Sequence, residues 1–164
     1  VWGDHPPAVA SPLYGEADAI AETDYSGWYD VPRDGPAQLA SEMRGRLARM
    51  ERTFGGRVLV ISEFGAESNS LNASGAPGGY GYQAQLLAEH INVYRADPQI
   101  SGMLVWVLRD YPLNPRFDGG SIHYVLPRVR LIEGLNQKGL FTYSGAAKPA
   151  AGVVGALFAG LPMG

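Results

Sequence analysis

The chain has no cysteine, so disulfides and thiolate metal sites are excluded. Its three histidines, His5, His90 and His123, have no metal-ligand spacing, and no metal or other cofactor is expected. Charged residues make up only 18% of the chain, and no basic run exceeds a few residues. A nucleic-acid partner normally needs a basic stripe, so none is expected. No segment reaches the roughly 18 apolar residues of a membrane span, so no membrane partner is expected either. Val1-Trp2-Gly3-Asp4 lacks both an initiator Met and the charged and apolar regions of a signal peptide, so the chain reads as a fragment or a processed piece. No internal repeat or low-complexity tract interrupts it.

What is present suits a packed core. The chain has 164 residues, 46% of them hydrophobic, and reads as one region over 1–164. The first sixteen residues are rich in Pro, Gly and Ala and read as loop, followed by a short strand over 17–23. Pro32 to Pro36 breaks the chain. Leu39, Met43, Leu47, Met50 and Phe54 then recur at spacings of four and three, the apolar stripe of a helix that Gly55-Gly56 stops. Arg57 to Ser62 is apolar without alternation, which predicts a strand buried on both faces of a parallel sheet. A loop over 64–79 leads to a second helix carrying Tyr80, Ala84, Leu87, Ile91 and Tyr94 on one face and ending at Asp97-Pro98. Gly102 to Leu108 reads as another buried strand, 109–137 as a long loop, Leu140-Phe141-Thr142 as strand-like, and a last helix begins near Pro149. Alternation of this kind predicts an α/β fold with a parallel sheet.

In such folds, function gathers at the C-terminal strand ends. Three segments bring chemistry there: Tyr25 to Tyr29, Glu63 to Glu67, and Trp106 to Asp110. Glu63 directly follows an apolar strand. Read alone, it is as readily a loop carboxylate as a catalytic one. Tyr25, Trp28, Tyr29 and Trp106 shift that balance, because sugar rings stack apolar C–H faces on aromatic rings. Core packing still wins for Trp28 by about two to one. Asn136-Gln137-Lys138 adds an amide and a cation. His90 reads as a surface or partly buried helix residue, and His123 as a residue of the long loop that could line a pocket, with the balance against it. Gly78-Gly79-Tyr80-Gly81 does not follow a strand directly and makes a poor phosphate cradle.

These segments resemble the C-terminal half of the catalytic barrel in family 2 glycoside hydrolases, the β-galactosidase and β-glucuronidase group. Tyr25-Ser26-Gly27-Trp28-Tyr29 is similar to the loop after the sixth barrel strand. Val60 to Glu67 is similar to the seventh strand, Tyr82-Gln83-Ala84 to the opening of the next helix, and Gly102 to Tyr111 to the eighth strand and its exit. Asn136 to Thr142 with Lys148-Pro149 is similar to the closing segment. They occur in the family's order and cover roughly residues 17 to 151.

The resemblance implies the C-terminal part of a (β/α)8 TIM barrel, about strands 6 to 8 and incomplete as given. It implies a retaining β-glycosidase with Glu63 as nucleophile and Tyr25 hydrogen-bonding it. Trp106 would floor the sugar site, and Asn136, Lys138 and Arg130 would grip the carboxylate of a β-glucuronide. The alternatives are a β-galactosidase of the same family or a non-catalytic carbohydrate-binding fragment. The family's acid/base is a Glu after an Asn, and this sequence has no Asn-Glu pair. The isolated chain is therefore expected to be inactive. The expected partners are a carbohydrate substrate, the remainder of the barrel and preceding β-sandwich domains, with a homo-oligomer admitted. Nothing in the sequence assigns a compartment.

Overall fold

A computed structural model describes residues 12–30 and 36–160. The expected loop over 1–11 and the break before Pro36 lie outside the described residues. A short 3-10 helix, Pro12–Glu16, stands where loop was expected. The order is then β1 (Ala19–Thr23), α1 (Pro36–Phe54), β2 (Val58–Phe64), α2 (Tyr80–Arg95), β3 (Ile100–Val105), β4 (Tyr111–Pro112), α3 (Ile122–Val125), β5 (Leu135–Asn136) and α4 (Pro149–Ala159).

β1, β2 and β3 form one parallel sheet in chain order. Crossovers of the single prevailing hand, always stepping in the same direction, lay α1 and α2 on the same face. The burial pattern agrees. Leu39, Met43, Leu47, Met50 and Phe54 are all buried, as the helical stripe predicts. They share one core with Leu59, Ile61 and Phe64 of β2 and with Leu87, Ile91 and Tyr94 of α2. Fully burying a side chain such as Leu87 contributes about 1.5–3 kcal/mol. Gly56, at φ +84°, takes the left-handed turn after α1 that a side chain would strain. α4 packs on α2 and adds Ala150 and Val154 to the core.

Two expectations are corrected here. β2 is buried on one face only: Leu59 and Ile61 are covered, while Val58 is 47% exposed. The helices cap one side of the sheet, and no described element caps the other. β3 is shorter than 102–108 and lies at the sheet edge, with Leu104 57% and Leu108 66% exposed. An unalternating apolar run states that a strand has two apolar faces; it does not state that this chain supplies both covers.

The long segment after β3 is less of a loop than expected. β4 and β5 pair antiparallel, Tyr111 opposite Asn136, and α3 lies between them. Leu140–Thr142 forms only bridges, Phe141 pairing with Arg109 and with Ala147. The exits of β2 and β3 approach closely. Trp106 N donates to Phe64 O at 2.9 Å, and a Cβ on Gly65 would lie 2.3 Å from the Trp106 carbonyl oxygen. That oxygen is backbone and cannot swing aside. Gly65→Ala is therefore expected to force the strand exits apart and to cost about 1–3 kcal/mol, read as a lower denaturation midpoint. An unchanged midpoint would show that the approach is not tight.

Candidate active site

The exits of the three parallel strands carry the functional side chains. β1 and β2 shift register between Glu22 and Thr23, so Thr23 pairs with Glu63. β2 and β3 shift again between Ile61 and Phe64. Irregularities of this kind re-aim side chains at the end of a ladder. The Tyr25 hydroxyl donates to Glu63 Oε2 at 2.9 Å. Burial, then the hydrogen bond to Glu63 and its charge, push the Tyr25 phenol well above its ordinary range. It therefore remains a donor at any physiological pH. Tyr25 meets Tyr29 edge to face at 5.3 Å between ring centres.

Lys138 joins the same cluster and is buried. Its Nζ donates to the Tyr29 hydroxyl at 3.1 Å and lies 3.6 Å from Glu67 Oε1. It also stands 5.6 Å from the Tyr25 ring and 5.2 Å from the Tyr29 ring, within reach of a cation–π attraction. Asn136 Oδ1 accepts from the Lys138 amide at 3.1 Å, which leaves the Asn136 side-chain amide as a donor. Tyr111, opposite Asn136 on β4, meets the half-buried Trp106 ring edge to face at 6.1 Å. The Trp106–Val107 peptide is cis.

Five of the six residues singled out from the sequence thus lie in one connected group: Tyr25, Glu63, Trp106, Asn136 and Lys138. Arg130 lies apart from them. Its guanidinium bonds the Leu71 carbonyl, and its backbone carbonyl accepts from Asn69 and Asn72, both at 2.8 Å. It lines a separate cavity of about 440 Å³ with Asn72, Pro77, Leu126 and Arg128. Trp28 is fully buried in the core, as expected, and His123 Nε2 bonds the Asp118 carbonyl at 2.6 Å.

Several supports carry no role in the sequence reading. Gln83 Nε2 reaches the carbonyls of Ala66, Lys138 and Gly139, at 3.0, 3.2 and 3.1 Å, while its Oε1 accepts from the Ser68 hydroxyl at 2.7 Å. One side chain therefore ties the Glu67 loop to the Lys138 segment. Lys148 Nζ donates to Ser68 O, Asp110 Oδ1 and Gln137 O, at 3.1, 2.9 and 2.8 Å, which uses all three of its N–H groups. Burial lowers the Lys148 ammonium, and Asp110 opposes the shift. Glu67 is buried, which raises its carboxyl, with Lys138, the Gln137 amide and Lys148 pulling it back. The available signal for Gln83 is a polar residue on the face that carries Tyr80, Ala84 and Leu87.

A half-exposed carboxylate that accepts one buried tyrosine hydroxyl can attack an electrophile with its second oxygen. Tyr25→Phe would remove a hydrogen bond to a charged group, worth roughly 1.5–3 kcal/mol. If Glu63 serves as a nucleophile in the protein that carries this chain, kcat is expected to fall about ten- to a hundredfold. Any basic limb of the pH–rate profile should persist, because the Tyr25 phenol does not ionise in that range. A kcat within twofold of wild type would remove Tyr25 from the site.

The chain matches no protein-family model, and no curated protein matches its sequence. Solved structures do match. The β-glucuronidase of Lactobacillus rhamnosus superposes with a TM-score of 0.77 and 21% identity, over 98% of this chain and 25% of that one. The Ruminococcus gnavus β-glucuronidase gives 0.73 and 22%, over 91% of this chain and 23% of its own. A GH2 β-galacturonidase from Eisenbergiella tayi gives 0.68 and 20%, over 88% of this chain and 24% of its own. The chain spans about a quarter of the length of the solved structures it matches. At such identities the likeness establishes architecture: this chain shares its fold with part of the β-glucuronidases and β-galacturonidases of glycoside hydrolase family 2.

Proposed function

We propose that this chain is the nucleophile-bearing C-terminal part, about strands 6 to 8, of a (β/α)8 barrel in a retaining β-glycosidase that hydrolyses β-uronides, β-glucuronides first. The observation that carries the reading is the 2.9 Å bond from the Tyr25 hydroxyl to Glu63 Oε2, formed at the strand exits beside a buried Lys138. Glu63 attacks the anomeric carbon, and the aglycone oxygen leaves with a proton from a carboxylic acid supplied outside this chain. Water then attacks the glycosyl ester and gives its proton to that second group, now a carboxylate, while Glu63 departs as carboxylate. The two carboxyl groups would stand about 5–5.5 Å apart. Trp106 would floor the sugar, while Lys138 and Asn136 would hold its carboxylate. The Arg130 guanidinium is bonded to the Leu71 carbonyl, outside this group, so the reading rests on Lys138 and Asn136.

The uncovered face of β2 and the exposed edge of β3 support docking to the rest of such a barrel. The test is an assay of the complete protein on aryl β-glucuronide, β-galacturonide and β-galactoside, with the first-formed anomer read by NMR. Hydrolysis of a uronide with the β-anomer appearing first is expected. Inversion, or no turnover of any of the three, would overturn the reading.

A further inference from the structure

Beneath the Tyr25–Glu63 pair lies a buried polar cluster that this chemistry does not use. Asp24 directly follows β1, and its amide donates to the Glu63 carbonyl at 2.8 Å. Its Oδ1 accepts from the Ser26 amide at 3.0 Å and from the Ser26 hydroxyl, and Arg46 Nη1 of α1 stands 3.5 Å away. Its Oδ2 accepts from the Tyr94 hydroxyl at 2.9 Å. That hydroxyl also lies 3.0 Å from His90 Nδ1, and His90 Nε2 lies 2.8 Å from the Ser26 carbonyl. A carbonyl only accepts, so Nε2 carries the proton there. Asp24, Ser26, His90 and Tyr94 are all buried, which corrects the expectation of a surface or partly buried His90.

The geometry has one evident consequence. Tyr25 is the middle residue of a three-residue strap, Asp24-Tyr25-Ser26. Two α2 side chains one turn apart grip the strap on either side of it, Tyr94 at Asp24 and His90 at Ser26. The same two rings hold the neighbour of Glu63. Phe64 stacks on His90 at 5.5 Å and 14°, and meets Tyr94 edge to face at 5.2 Å. Both partners of the 2.9 Å contact are therefore set from one surface of α2. Burying a carboxylate, a phenol and an imidazole is unfavourable unless each finds partners. Apolar side chains would fill this space without that penalty. What the polar groups add is direction: each bond ends on the strap or on a group that bonds it.

We propose that Asp24, His90 and Tyr94 are positioning residues that fix the Asp24–Ser26 strap and thereby hold the Tyr25 hydroxyl on Glu63. The kinetic consequence rests on the reading of Glu63 as nucleophile; the structural consequence does not. Tyr94→Phe deletes one oxygen and keeps the ring against Phe64. Asp24→Asn keeps the shape and turns one acceptor into a donor. In the complete protein, Tyr94→Phe is expected to lower kcat about tenfold with KM within twofold of wild type. In a Tyr25→Phe background the same change should cost less than twofold, because the contact it serves is already gone. A role in stability alone would lower kcat by the same factor in both backgrounds. Crystal structures of both single variants should show the Tyr25 hydroxyl beyond 3.5 Å of either Glu63 carboxylate oxygen. Additive kinetic losses, or an intact Tyr25–Glu63 bond in both variants, would overturn the proposal. If wild type hydrolyses no glycoside, the glycosidase reading fails, and the crystal structures still decide the positioning.

Discussion

Glu63→Gln in the complete protein is expected to lower kcat at least a thousandfold, about 4 kcal/mol of barrier, while substrate binding stays near wild type. The amide keeps the side chain's shape and can still accept from Tyr25 through its oxygen. It cannot form the glycosyl ester. The same carboxylate should be trapped by a 2-deoxy-2-fluoro β-glycoside, which slows breakdown of the ester and leaves the sugar on a peptide that mass spectrometry can identify. Glu67 is the competitor, four residues on in the same segment. It is poorly placed to attack: it is buried, and Lys138 stands 3.6 Å from its Oε1. Glu63 is only half-buried, and among the described residues its carboxylate accepts from the Tyr25 hydroxyl. A label on Glu67, or wild-type turnover by Glu63→Gln, would remove Glu63 from the proposed role.

The parts of this structure written most plainly in the sequence are those governed by local periodicity. α1 follows from five apolar residues on one stripe, and β2 from an unbroken apolar run. The link between Tyr25 and Glu63 comes from the family resemblance, and the fold accounts for it: Glu63 is the penultimate residue of β2, Tyr25 lies two residues past β1, and the paired parallel strands bring the two together. What sequence could not show depends on long-range pairing. The 2-stranded β4–β5 ladder joins segments more than twenty residues apart, and neither half has a strand's length or alternation. His90 reads as a surface or partly buried helix residue because its partners, Ser26 beyond β1 and Phe64 in β2, lie far off in the chain. Arg130 was a candidate as the nearest Arg upstream of Asn136, where the family resemblance implies one, yet chain nearness does not set direction, and its guanidinium turns to Leu71. The uncovered face of β2 was misread for a different reason. Apolar character marks a surface that is buried in the final assembly, and nothing in the run says which chain segment buries it.

Lys138→Ala is expected to damage uronide turnover far more than hexoside turnover, and donor geometry gives the reason. An ammonium has three N–H groups. One goes to the Tyr29 hydroxyl and one faces Glu67, so among the described residues a third is unclaimed. A uronic acid differs from its hexose by a carboxylate at C6, and desolvating that charge without a partner is costly. The third N–H supplies a charged donor, and the Asn136 amide, whose oxygen is already used, supplies a neutral one. A charge-assisted bond of roughly 1.5–3 kcal/mol corresponds to about one to two decades in kcat/KM. Lys138→Ala alone also strands the buried Glu67 carboxylate, and breaking a buried pair costs about 3–5 kcal/mol of stability. The decisive comparison is therefore Lys138→Ala in a Glu67→Gln background, where no buried charge is left over. There, kcat/KM for aryl β-glucuronide should fall ten- to a hundredfold below Glu67→Gln alone, with aryl β-galactoside falling less than threefold. A hydroxyl at C6 presents no charge for Lys138 to neutralise, so its loss removes at most one neutral contact. Equal losses on the two substrates, or a wild type that prefers the galactoside, would show that Lys138 serves the tyrosine cluster and Glu67 rather than the sugar.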